Sequence, residues 1–206
     1  MAKGIFITVE GIDGSGKTTQ INFIKDYLEC KGYDVLITRE PGGTEISEKI
    51  RSIILDPKNT KMGVITEMLL YASSRAQLVF EVIKPALDSG KIVVCDRFID
   101  SSFAYQGYGR GINPDYITGV NNIALQGILP DLTILLDISP EAALKRRLAS
   151  SGFDRIEQED AEFHIKVYKG YKVLAESYPE RIKAINAERN NGEIFDDIKK
   201  CIDGML

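Results

Sequence analysis

The chain has 206 residues, 44% hydrophobic and 27% charged, with a formal net charge of −4. That composition belongs to a globular domain large enough to bury a core and excludes a disordered chain. The acidic balance argues against nucleic acid as a partner.

In chain order, "IFITVEG" (5–11) reads as a buried strand. Residues 18–32 read as a helix with Ile21, Ile24 and Leu28 on one face and Gly32 past its end. "DVLITREP" (34–41) is a second strand, and helices follow over 44–56 and 64–89, the latter kinked or broken at Pro85. "KIVVCDR" (91–97) is a third strand. Residues 98–127 read as helix interrupted by Gly107, Gly109 and Gly111. "DLTILLDIS" (131–139) is a fourth strand, with a helix starting at Pro140. Residues 149–160 have little apolar content and read as a loop or lid. A helix over 161–178 places Ile165, Tyr168, Tyr171, Leu174 and Tyr178 on one side. A fifth strand (181–188) and a last helix (193–205) complete the chain. Strands alternating with helices predict an α/β fold: a five-stranded parallel sheet covered on both faces, in three layers, with a short lid. No linker or repeat divides the chain, so 1–206 reads as a single domain.

"GIDGSGKT" (Gly11, Ile12, Asp13, Gly14, Ser15, Gly16, Lys17, Thr18) matches G-x-x-x-x-G-K-[ST] between a strand and a helix. Its amides and the helix N-terminus suit a nucleotide phosphate. Lys17 would reach the β- and γ-phosphates, and the Thr18 hydroxyl would ligate Mg²⁺. The spacing G-x-G-x-x-G fails at Gln20. No N-K-x-D follows, which argues against a GTPase switch, and the length leaves little room for a motor or helicase. Asp96 ends the third strand, where an acid can assist Mg²⁺. Gly11, Pro41, Asp96 and Ile138 all close strands, so the loops after them converge on one crevice.

Cys30, Cys95 and Cys201 form no metal-ligand pattern and read as free thiols in a reducing compartment. No run reaches ~18 apolar residues, and the first eleven are too short for a signal-peptide core, so a cytoplasmic protein is expected. His164 reads as structural or surface, and Arg110 as a local partner within "GYGRG".

Together, "GIDGSGKTTQ", "REPGGTE" (39–45), "YASSRAQ" (71–77), "DRFIDSSFAYQGYGRG" (96–111) and "DRIEQED" (154–160) resemble the thymidylate kinase family in order and spacing. The resemblance implies a P-loop NTPase fold and ATP-dependent phosphorylation of dTMP to dTDP with Mg²⁺, in a homodimer. By position, Arg97 matches the arginine holding the acceptor phosphate, with Arg51 a further contact. Tyr71 matches the aromatic stacked on thymine, and Arg75, a turn later, the arginine bonding the base. Ser101 and Gln106 match polar residues near the base or sugar. Tyr105 matches the aromatic crowding the sugar 2′ position. Asp13 matches the acid near the acceptor sugar and phosphate; its division of labour with Asp96 is left open. Some members carry an arginine at the position of Gly14. Here the lid offers Arg146, toward the adenine, and Arg147 or Arg155, toward the γ-phosphate, while Leu148 and Ser150 stand where other lids have arginines. Two alternatives remain at this point: a kinase for a deoxynucleoside or UMP, and a nucleotide-dependent switch.

Overall fold

The computed structural model describes residues 4–147 and 154–206. Five parallel strands form one sheet in the order β2-β3-β1-β4-β5: β1 (Ile5–Glu10), β2 (Val35–Arg39), β3 (Ile92–Asp96), β4 (Leu132–Asp137) and β5 (Ile182–Asn186). β1 lies between β3 and β4, with Val9 opposite Asp96 and Ile134. The central strands are apolar on both pleats because helices cover both faces; Phe6, Ile7, Val9, Val93, Val94 and Ile134 are fully buried. The expected α/β architecture is thus present, with strands shorter than the apolar runs at several ends.

One face carries α1 (Lys17–Cys30), whose Ile21, Ile24 and Leu28 join the main core, and α9 (Asn191–Asp203). α2 (Glu45–Leu55) packs on α3 (Val64–Leu78). Thr44 caps α2, its hydroxyl accepting the Ser47 N–H at 3.1 Å. Pro85 acts upstream of itself. Its ring crowds the carbonyl four residues back, and the chain passes through a wide π turn at Val79–Ile83 before α4 (Lys84–Asp88).

The region after β3 departs from the sequence reading. Gly107 and Gly109 do not interrupt helix there. α5 (Ile99–Ser102) runs into a second π turn, Phe103–Gly109, and the break comes at Gly111, before α6 (Pro114–Ala124). Backbone N–H groups of Arg110 and Ile112 reach back to Tyr105 (2.9 Å) and Gln106 (3.1 Å), widening the turn beyond an α-helix. Gly109 permits this packing: a Cβ there would sit 2.6 Å from the Phe163 ring.

α7 (Pro140–Arg147) follows β4, and α8 (Ala161–Ser177) starts at Asp160, whose carboxylate accepts the Phe163 N–H at 2.8 Å. The buried face of α8 is Phe163, Val167, Gly170, Tyr171 and Leu174. The expected face overlaps this one at Tyr171 and Leu174 but is turned from it: Ile165 is 37% and Tyr178 53% exposed. Tyr at several positions blurred the periodicity, since its ring packs on either side of such a boundary. His164 is half-buried, edge-on to Phe163 at 5.4 Å. The three cysteines are free. Among the described residues no helix is long and apolar enough to cross a membrane.

Candidate active site

The loop between β1 and α1 turns at Gly14 and Gly16, whose φ angles of +86° and +95° favour glycine. Gly14 is required twice over, because a Cβ there would stand 2.3 Å from the Ala143 carbonyl of α7. Lys17 folds over this loop. Its ammonium donates to the Gly11 (3.1 Å) and Ile12 (3.3 Å) carbonyls and lies 3.9 Å from Asp13. Burial, then neighbouring Arg97, pushes the Lys17 ammonium pKa down.

Arg97 is one of two described non-glycine residues with positive φ (68°), a conformation that surroundings must hold in place. Its amide donates to Val9 and its carbonyl accepts from the Cys95 thiol. This turn delivers the guanidinium over the phosphate-binding loop. Nη2 donates to Asp13 at 2.6 Å, and Nη1 to the Gly11 carbonyl at 2.8 Å and the Tyr171 hydroxyl at 3.1 Å. Arg97 therefore does not form a local pair with Asp96. Burial alone would raise the Asp13 carboxyl pKa, but Arg97 and Lys17 reverse that and hold it well below the carboxylate range. Tyr105 completes the cluster, its hydroxyl 3.3 Å from Asp13 and its ring 5.1 Å from the Arg97 guanidinium carbon.

Behind them sits Glu10, an acid within a buried strand that the sequence reading passed over. It accepts the Phe98 N–H at 2.7 Å and the Ser101 and Tyr171 hydroxyls at 2.7 and 2.8 Å. Burial and then Asp100 push its carboxyl pKa up. Glu10 thus fixes Ser101 and Tyr171, which in turn brace Arg97. The signal was legible: an isolated Glu in an apolar strand one residue before the loop must have partners.

Two clefts meet at Asp13 and Arg97. The first is lined by Asp13, Arg51, Tyr71, Arg75, Arg97, Ser101, Tyr105 and Gln106, which are all the residues expected to hold the acceptor. Arg51 donates to the Pro41 carbonyl at 2.7 Å and borders both clefts. Arg75 is almost wholly enclosed, and each of its nitrogens already has a protein partner. It forms a fork to Glu40, with Nη2 donating to Oε2 at 2.5 Å and to the Phe98 carbonyl at 3.0 Å, and Nη1 donating to Ser102 at 2.9 Å and to Asn121. The expected direct hydrogen bond from Arg75 to a base is thus not prepared here. The side chain instead forms a charged wall whose donors are committed to Glu40, Ser102 and Asn121.

The second cleft is lined by Gly14, Gly16, Lys17, Thr18, Asp96, Arg97, Arg146 and Arg147, together with Arg189 and Asn190. Arg146 is exposed on α7 and donates to the Ala187 carbonyl at 2.9 Å. Arg147 makes a two-point pair with Glu157 at 2.6 and 2.8 Å. Asp96 Oδ1 is buried with no hydrogen-bond partner among the described residues. An acceptor left unpaired in the cleft that Thr18 also lines suits a hard cation that completes its shell with phosphate oxygens and water, as Mg²⁺ does.

Two arginines sit elsewhere in this structure than the sequence suggests. Arg155 does not reach the phosphate cleft. Its Nε donates to the Ile54 carbonyl at 2.7 Å and its Nη2 pairs with Glu67 at 2.7 Å, in a residue only 8% exposed. Arg155 settles there because Glu67, buried on α3, demands a counter-charge. Arg110 is not locally paired either; it bridges Glu67 (3.0 Å) and Glu159 (2.7 Å) across three elements. Leu148, Ser150 and the start of the lid lie outside the described residues. Glu67, Glu40 and Tyr171 were not foreseen as site residues, since helix periodicity alone does not say which acids lie beneath a cleft.

A sequence model of the family described as thymidylate kinase matches residues 9–198. A thymidylate kinase from a Thermoanaerobacter species is 53% identical over 204 residues, covering 97% of this chain and 100% of that protein. One from Caldanaerobacter subterraneus is 50% identical, covering 99% and 97%. The crystal structure of thymidylate kinase from Ehrlichia chaffeensis superposes with a TM-score of 0.80 at 34% identity, over 98% of this chain and 99% of that one.

Proposed function

The chain belongs to the thymidylate kinase family, and we infer from that premise that it moves the γ-phosphoryl group of ATP onto the phosphate of dTMP, giving ADP and dTDP. The observation that carries this reading is the junction: Asp13 and Arg97 line both clefts, so donor and acceptor phosphates face each other across one guanidinium. A phosphate oxygen of dTMP forms the new bond to the γ-phosphorus while the β–γ bridging bond breaks toward ADP. The attacking oxygen is already anionic, so alignment and charge neutralisation carry the rate rather than a strong base.

Within this reading, the loop amides from Gly11 to Thr18 and the Lys17 ammonium hold the donor phosphates. Thr18 and Asp96 hold Mg²⁺, which when bound offsets phosphate charge. The Arg97 fork and Arg51 hold the dTMP phosphate. Asp13 orients Arg97 and faces the acceptor sugar, where Tyr105 leaves no room for a 2′-hydroxyl. The Tyr71 ring packs on the base, and Gln106 and Ser101 supply polar contacts. Arg146 lies toward the adenine. Arg147 leaves Glu157 for the γ-phosphate when the lid, about residues 149–160, closes over the single domain. The protein acts in the cytoplasm, which its free thiols suit. It pairs as a homodimer through α3, the π turn after it and α6. Leu69, Phe80, Tyr116 and Ile123 expose apolar surface there. Sedimentation would show a dimer, and Phe80→Asp with Ile123→Asp would shift it to monomer.

An acceptor panel tests the function. ADP release with dTMP should exceed that with thymidine, UMP or dCMP. Preferred turnover of the nucleoside would overturn the assignment.

A further inference from the structure

We infer that Glu67, which does not line the acceptor cleft, sets its base specificity by fixing which end of the Gln106 amide faces the pyrimidine. Glu67 is 1% exposed on α3, beneath the cleft. Its Oε1 accepts from Gln106 Nε2 at 3.2 Å and Arg110 Nε at 3.2 Å, and its Oε2 pairs with Arg110 at 3.0 Å and Arg155 at 2.7 Å. Two guanidiniums on one carboxylate keep it ionised: burial opposes this, but Arg110 and Arg155 pull its pKa below the ordinary value. An ionised carboxylate only accepts hydrogen bonds. The NH₂ end of Gln106 must therefore face Glu67, and the carbonyl Oε1 is turned the other way. Gln106 lines the acceptor cleft, and among the described residues its Oε1 accepts no hydrogen bond.

The cleft thus presents a fixed acceptor to the base. Thymine and uracil offer an N3–H donor at the middle of their pairing edge, whereas cytosine offers a lone pair there, which an acceptor repels. Arg75 adds no free donor that could compensate, because its nitrogens are committed to Glu40, Ser102, Asn121 and Phe98. Without Glu67, the Gln106 amide could turn over and donate to either base. Glu67 is in this sense a positioning residue, acting on the substrate only through Gln106. The inference rests on the reading of this cleft as the dTMP site.

The test compares kcat/KM of the full chain for dTMP and for 5-methyl-2′-deoxycytidine 5′-monophosphate, which differ only at ring positions 3 and 4. The wild type is measured first, and failure to use dTMP would overturn the functional reading itself. Given that activity, Glu67→Gln should reduce the preference for dTMP by about tenfold or more, the size of one mismatched buried hydrogen bond. A folded Glu67→Gln protein with a preference within about twofold of wild type would overturn this inference alone, whatever happens to its rate. If the neutralised site does not fold, Glu67→Gln/Arg155→Met removes the surplus positive charge and is judged by the same ratio. The wild type provides an independent check: 3-methylthymidine 5′-monophosphate, which lacks the N3–H, should bind about tenfold more weakly than dTMP. Equal affinity would sink the proposal.

Discussion

Replacing Arg155 with Met separates a lid arginine that performs chemistry from one that ties the lid down. The side chain contributes a buried hydrogen bond to the Ile54 carbonyl at 2.7 Å and an ion pair to Glu67 at 2.7 Å, while its amide donates to Leu55 at 3.1 Å. Met retains the aliphatic stem and removes only the guanidinium. Glu67 would not become an orphaned charge, because Arg110 and Gln106 remain on it. The loss is therefore that of a charged hydrogen bond, about 1.5–3 kcal/mol, rather than the about 3–5 kcal/mol of a buried ion stripped of its partner. In a chain of this size each kcal/mol moves Tm by about 2–4 °C, so a drop of about 5–10 °C is expected. Asp154 and Ile156 flank this anchor and line the acceptor cleft, so KM for dTMP should rise. The value of kcat at saturation should fall less than about threefold, against the 10³–10⁵ attributed to an arginine finger. Thermal unfolding and a coupled ADP assay measure both quantities. A kcat loss beyond about a hundredfold with unchanged Tm would refute the tether and restore Arg155 to the γ-phosphate. Arg147→Ala, at the residue that does line the phosphate cleft, should show the opposite pattern: kcat down at least about tenfold, with little change in KM for dTMP.

Tyr105→Ala should narrow the preference for dTMP over its ribose counterpart, because the ring fills the space beside Asp13; an unchanged ratio of kcat/KM would remove Tyr105 from that role. Gly14→Ala should lower Tm and weaken ATP binding together, since the added carbon meets the Ala143 carbonyl at 2.3 Å and the backbone is left-handed. Normal ATP affinity in titration calorimetry would show that α7 yields freely. Burial pushes the Glu40 carboxyl up to about 7 against the pull of Arg75. Its folded pKa then exceeds its unfolded one, so its contribution is full below the unfolded value and is lost as pH rises through about 7. Wild type should lose stability relative to Glu40→Gln between those limits, and parallel Tm–pH curves would contradict the shift.

The layers of the fold were legible because parallel strands buried on both faces read as unbroken apolar runs, and here "IFITVE" and "TILLD" are such runs. The order of strands was not, since β1 occupies the centre through hydrogen bonds to β3 and β4 that leave no local mark. The π turn at Phe103–Gly109 was hidden for a different reason. Glycines there look like helix breakers in one dimension. In three, Gly109 makes room for Phe163, which comes from more than fifty residues later in the chain.

The site divides along the same line. Residues that line the clefts announce themselves through unusual chemistry for their position: Lys17 after a glycine turn, Arg97 after a strand, Tyr71 and Arg75 a turn apart. All of the expected acceptor residues do line one cleft. The residues that hold those groups in place carry no such mark, because each is defined by a partner distant in sequence. Glu10 meets Tyr171 across 161 positions, Glu40 meets Arg75 across 35, and Glu67 meets Arg110 across 43. Arg155 shows the consequence. Judged by sequence it is one of two lid arginines, with Arg147, that could serve the γ-phosphate. Glu67, whose carboxylate is buried below the cleft, takes it instead, since an ionised acid at 1% exposure needs more cationic partners than a solvated one. That leaves Arg147 as the described arginine of the lid region that both borders the phosphate cleft and is held by a carboxylate from which it can transfer to a phosphate. The buried acids thereby decide which of the two arginines, Arg147 or Arg155, borders the second cleft.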